Sequence, residues 1–143
     1  PGSDRTYKTP LFYTIQLFSQ HCRGTALRTF VDCDTFASGY YSRIPYLDVS
    51  SVYDAQSKQL VINVVNRKKD EAIATDLESI TGSFTGAATV STIASDGVAD
   101  QAYTYAARAS YAPKVEQAPA QGSRFHWEFP AHSFTQIVIG IAR

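Results

Sequence analysis

Residues 44–66 read IPYLDVSSVYDAQSKQLVINVVN, and the pattern inside this stretch decides the fold. From Tyr46 to Asp54 apolar and polar residues alternate, as they do along a strand with one buried face. DAQSKQ (54–59) has the composition of a turn, and LVINVVN (60–66) is a dense β-prone run. Downstream, the polar turn RKKD (67–70) leads into EAIATDLE (71–78), which places Ile73, Thr75 and Leu77 on one face. The expectation is a meander of three consecutive strands.

The same texture continues to the C-terminus. GSFTGAATVSTIAS (82–95), AYTYAARA (102–109), SRFHWEFP (123–130) and SFTQIVIGIA (133–142) read as strands. The joints between them are SDGVADQ (95–101) and APKVEQAPAQGS (112–123). Upstream, ALRTFVDCDTF (26–36) also has strand density. Seven or more short strands without intervening helical periodicity predict a mostly β chain, an antiparallel β-sandwich of jelly-roll type. In the closing strand Phe134, Ile137 or Val138, and Ile139 or Ile141 face inward, depending on register.

One helix precedes the sandwich. In TPLFYTIQLFSQHCRG (9–24), Thr9 suits the N-cap, Pro10 the first helical position and Gly24 a left-handed stop. Leu11, Ile15, Phe18 and Cys22 form one seam, while Phe12, Tyr13 and Leu17 spread around the cylinder. A helix apolar over most of its circumference is covered on more than one side, and a lone small β-domain does not easily supply both covers.

Composition removes several function classes. The 143 residues suit one domain, and 13 basic against 13 acidic residues leave no excess positive charge for a phosphate backbone or an anionic bilayer. No apolar run has the length of a membrane span. Pro1 to Ser3 resemble the scar of a cleaved purification tag. Cys22 and Cys33 offer one disulfide or two thiols, without metal-ligand spacing. No cofactor-binding motif is present.

Candidate chemistry is sparse. A glycosidase needs two carboxylates at a set separation, but Glu71, Glu78, Glu116 and Glu128 read mostly as turn and strand-end residues in solvent. Asp32 and Asp34 in VDCDTF, with Asp48, lack the glycine and distal glutamate of a calcium loop. Alternation puts Phe125, Trp127 and Phe129 in the core, with His126 and Glu128 on the opposite face. His132 follows Pro130 in a turn, so His126, Glu128 and His132 form a cluster in sequence without a known catalytic or metal motif. Tyr40, Tyr41 and Tyr46 in SGYYSRIPYLDVS are the candidate sugar-stacking residues, against a reading as core-rim tyrosines.

Taken in order, TPLFYTIQLFSQH (9–21), IPYLDVSSVYD (44–54), LVINVVNR (60–67) and FPAHSFTQIVI (129–139) resemble the α-L-arabinofuranosidases. The likeness spans most of residues 9–141, and the segment from Gly82 to Gly122 contributes little to it. It implies the C-terminal β-sandwich of a retaining glycoside hydrolase that removes terminal arabinofuranosyl groups from arabinan and arabinoxylan. The two catalytic glutamates of that family belong to a (β/α)8 barrel, which would lie upstream of Pro1, so no catalytic residue carries over. Residues 4–24 would then hold the last barrel helix and residues 25–143 the sandwich. The implied partner is the barrel of the same polypeptide, with subunit contacts as a further possibility. The alternative is a carbohydrate-binding module.

Overall fold

A computed structural model describes residues 5–95 and 103–142. The helix α1 spans Pro10–His21, and the strands are β1 (Thr25–Leu27), β2 (Thr35–Phe36), β3 (Ile44–Pro45), β4 (Leu47–Asp54) and β5 (Gln59–Asn66). They continue as β6 (Ile73–Glu78), β7 (Ser83–Ile93), β8 (Lys114–Pro119), β9 (Arg124–Phe129) and β10 (Ser133–Ala142), with a 3-10 turn at Arg108–Tyr111. The chain is a mostly β, antiparallel sandwich preceded by its helix. The residues read as a tag scar, and those of the 95–101 joint from 96 onward, lie outside the described residues.

One sheet has six strands in the order β1-β4-β5-β10-β7-β8, and β6 pairs with β9 in a second, two-stranded sheet. The hairpin expected at 44–66 is present, with Val52 opposite Val61 and Ser51 opposite Ile62. Strand alternation sends Leu60, Ile62 and Val64 of β5, with Ile137 and Ile139 of β10, into the core beside Phe84, Val90, Phe125 and Phe129. Trp127 is half-buried and stacks on Phe125 with centroids 6.0 Å apart. Phe134 turns to the other face, where its ring meets Phe18 of α1 at 5.5 Å.

Several expectations are corrected. The third strand of the meander does not follow β5, whose free edge is taken by β10 with Ile62 opposite Ile137. The chain crosses instead to the second sheet, where Leu77 stands opposite Phe125. The crossing is held by buried Asn66, whose side-chain N–H groups reach the carbonyls of Glu71, Phe129 and Pro130 at 3.1, 3.0 and 2.9 Å. Within 26–36 only the two ends form strands, and residues 28–34 run between them without ladder pairing. Residues 103–109 do not form a strand; Tyr103 and Tyr105 pack around Tyr7 and Tyr111, and a 3-10 turn follows. The joint at 112–123 contains edge strand β8, where terminal Pro119 is tolerated.

The helix starts where expected, with Thr9 extended and Pro10 at its head. It ends at His21 rather than running to Gly24, and the Cys22 N–H bonds Phe18 O at 3.0 Å. Gly24 has a different task. Its φ is +145°, and a Cβ there would collide with the Tyr53 carbonyl as β1 joins β4. Cys22 and Cys33 are both free thiols.

Candidate functional site

The helix meets the six-stranded sheet through few side chains. Leu17 is its one buried residue and Phe18, 39% exposed, leans on Phe134 of β10, while Leu11 and Ile15 stay 68% and 60% exposed, with Phe12 at 43%. The sheet under its C-terminal end is polar. Gln136 Nε2 donates to Asn63 Oδ1 at 2.8 Å, which orients Gln136 Oε1 to accept from His21 Nδ1 at 2.6 Å. Asn63 Nδ2 reaches Cys22 Sγ at 3.3 Å, and both amides are almost wholly buried. Buried amides demand such partners. These directional bonds set the helix on the sheet and leave its apolar stripe bare.

A second feature lies between the β2–β3 hairpin and the β5–β6 loop. Phe36, Arg43 and Tyr46 on one side, with Asp34, and Lys68, Lys69, Asp70 and Glu71 on the other line a cleft of about 870 Å³. The Tyr46 ring is held by Phe36 at 4.9 Å and lies under the Lys68 ammonium at 5.3 Å. Lys68 bonds Glu71 at 2.7 Å, and that hydrogen bond raises its pKa above the usual lysine value, against a smaller opposing effect of burial. Arg67 bonds Pro45 O at 2.9 Å and pairs with Asp48. A mainly apolar cleft of about 750 Å³ opens between the two sheets, lined by Leu27, Val49, Leu77 and Ile141 and by the exposed Phe30 and Ile80.

The tyrosines of the sequence reading take different places. Tyr40 and Tyr41 sit at the tip of the β2–β3 hairpin, where Ser38 and Tyr41 exchange backbone hydrogen bonds, and Tyr40 is 96% exposed. Tyr46 is a wall of the cleft with its ring engaged. His126, Glu128 and His132 are engaged separately. His126 Nδ1 is 2.8 Å from Asp76 across the β6–β9 ladder, and Glu128 stands opposite Ala74 in solvent. Each ring nitrogen of His132 faces a backbone carbonyl, of Lys69 and of Ser95, at 2.6 Å. Among the described residues no group of three or more His, Cys, Asp or Glu could hold a metal ion. Sequence reasoning missed Arg43, Lys69, Asp70, Asn63 and Gln136, which scatter over loops and strands that only folding brings together.

The leading helix of this sandwich is moored on one side and exposes apolar residues on the other. The family model described as the α-L-arabinofuranosidase C-terminal domain matches residues 2–133. The chain belongs to the α-L-arabinofuranosidase C-terminal domain family. Among solved structures it is similar to an α-L-arabinofuranosidase from Thermotoga maritima in complex with arabinose. That match has 19% identity and a TM-score of 0.73, covering 95% of this chain and 30% of the other. The thermostable family 51 enzyme from Thermotoga petrophila matches at 21% identity and TM-score 0.73, covering 96% and 30%. A family 51 enzyme from Bifidobacterium longum matches at 18% identity and TM-score 0.71, covering 93% and 26%. The chain thus spans about a third or less of these proteins. No curated protein sequence matches it.

Proposed function

We propose that this chain is the non-catalytic C-terminal sandwich of a retaining α-L-arabinofuranosidase, supporting an upstream barrel that hydrolyses terminal α-L-arabinofuranosyl groups of arabinan or arabinoxylan. The observation that carries this reading is the exposed apolar surface of Leu11, Phe12 and Ile15 on the helix. Contiguous exposed apolar surface of this kind marks a docking face. Family membership supports an upstream occupant, since a C-terminal domain follows other parts of the same polypeptide. In that arrangement the barrel supplies both glutamates, and the sandwich contributes packing area and a fixed orientation. The helix is the shared element: His21, Cys22 and Leu17 hold it to the sheet while its other side meets the barrel. With the barrel absent, the stripe favours self-association of the chain.

The test compares the 143-residue chain with the polypeptide extended upstream, on a chromogenic arabinofuranoside. Turnover is expected only from the extended polypeptide. Turnover by the chain alone that persists through further purification would sink the proposal.

A further inference from the structure

The cleft between the β2–β3 hairpin and the β5–β6 loop plays no part in holding the helix, and its chemistry asks for a ligand. Its volume, about 870 Å³, falls within the range of small-molecule sites. Its walls combine half-buried aromatic surface, from Phe36 and Tyr46, with charged groups of both signs. Arg67 and Lys68 are already paired with Asp48 and Glu71. Arg43, Lys69 and Asp70 are not: among the described residues their charged groups make no hydrogen bond and no ion pair, and Asp34, which also lines the cleft, makes neither but acts on Lys68 through its charge. The lining cations Arg43, Arg67, Lys68 and Lys69 face the lining anions Asp34, Asp70 and Glu71, and Asp48, outside the cleft, pairs with Arg67, so no strong net field selects an anion or a cation. Uncommitted donors and acceptors side by side match a ligand whose groups both donate and accept, and hydroxyls do both.

Tyr40 and Tyr41 do not line the cleft, but they lie in the chain between two residues that do, Phe36 and Arg43, and are 96% and 68% exposed. An exposed tyrosine offers a flat apolar face at little conformational-entropy cost.

We propose that this cleft binds a neutral oligosaccharide. Arg43, Lys69, Asp34 and Asp70 hydrogen-bond the hydroxyls of one residue against the Phe36–Tyr46 wall. Tyr40 and Tyr41 stack on the next sugar ring. Tyr46 is a wall rather than a platform, because Phe36 and Lys68 already flank its ring. Binding here requires nothing of the helix face, so it stands or falls independently of barrel docking.

The experiment is an amide-resolved NMR titration of the 143-residue chain with arabinotriose and with xylotriose, and with trigalacturonate as the anionic control. Saturable shifts confined to residues 34–43 and 67–71 are expected with one or both neutral trisaccharides, and weaker ones with the anion. Arg43→Ala and Asp34→Ala should each weaken binding about tenfold, the ratio set by one charge-assisted hydrogen bond. Tyr40→Ala should weaken it severalfold, and Lys114→Ala, on the far edge strand, should leave it unchanged. All four side chains are exposed, so the variants keep the wild-type circular dichroism and melting temperature. Absence of any saturable shift with both neutral sugars overturns the proposal. So do shifts centred elsewhere, tighter binding of the anion, or full affinity in Arg43→Ala.

Discussion

Replacing Leu11 and Ile15 together by alanine separates a docking helix from a decorative one. In this chain the two residues are 68% and 60% exposed, so their methyl groups contribute little to the sandwich. Alanine is also the better helix former, and the isolated double variant should be as stable as the wild type to within about 0.5 kcal/mol. Against a barrel the calculation changes. Complete burial of an aliphatic side chain is worth about 1.5–3 kcal/mol, and covering the remaining two thirds of each gives about 1–2 kcal/mol. The double variant should therefore cost the extended polypeptide about 2–4 kcal/mol of interdomain stability. Urea denaturation of the two lengths in parallel, with sedimentation of the short one, reads both effects. The short wild-type chain should associate and the short variant should run as a monomer. A loss above about 1 kcal/mol in the short chain would mean that the stripe packs internally. No loss in the extended one would mean that nothing docks on it.

Asn66→Ala strips three buried or partly buried carbonyls of their donor and removes the acceptor of the Lys68 N–H. A cost of about 2–4 kcal/mol by urea denaturation is expected, with the amide shifts of residues 67–71 displaced. Gly24→Ala forces a Cβ onto the Tyr53 carbonyl at a φ that other residues avoid, and should cost about 1–3 kcal/mol in thermal melting. Asp54 accepts hydrogen bonds from the Ser57 hydroxyl and the Gln56 N–H at 2.7 and 2.9 Å, which lower its pKa beneath 3.8. A lowered carboxylate pKa stabilises the fold above its unfolded value and ceases to do so as pH falls through the folded one. The stability gap between wild type and Asp54→Asn should accordingly narrow below pH 3.8, and a carboxyl NMR titration should place the Asp54 midpoint beneath that value.

What could be read in advance was whatever depends on neighbours along the chain. Alternation in 46–54 and 60–66 gives β4 and β5 because a half-buried strand must repeat every second residue, and Thr9-Pro10 heads a helix for reasons internal to one turn. What could not be read depends on which edge is free. The polar turn after Asn66 looks like a hairpin turn, but β10, far away in sequence, already occupies that edge of β5, and Asn66 directs the chain across. The segment around 103–109 has strand composition but pairs with no strand, and its tyrosines pack on Tyr7 and Tyr111 instead. In β8 the flanking prolines argue for a joint, yet an edge strand pairs on one side only and accommodates them.

The same distinction governs the two proposed binding surfaces. Apolar residues all around α1 announce two covers, because a helix does not display that much oil to water without a second partner. Which side faces which cover is geometric information. The seam of Leu11, Ile15 and Phe18 is the natural choice for the sandwich, yet the sheet beneath the helix presents Asn63 and Gln136, which need polar partners from the helix end. His21 and Cys22 supply them, Leu17 is buried, Phe18 leans on Phe134, and Leu11 and Ile15 are left exposed for the proposed partner. In the cleft the reasoning runs the other way. Tyr40, Tyr41 and Tyr46 look equivalent in sequence, but stacking requires a free ring face, and the fold leaves one open at the hairpin tip while it closes the third against Phe36 and Lys68. The polar half of that surface was invisible for a simpler reason. A charge uncommitted in the folded chain, such as Arg43 or Asp70, differs from a paired one only in where its neighbours end up.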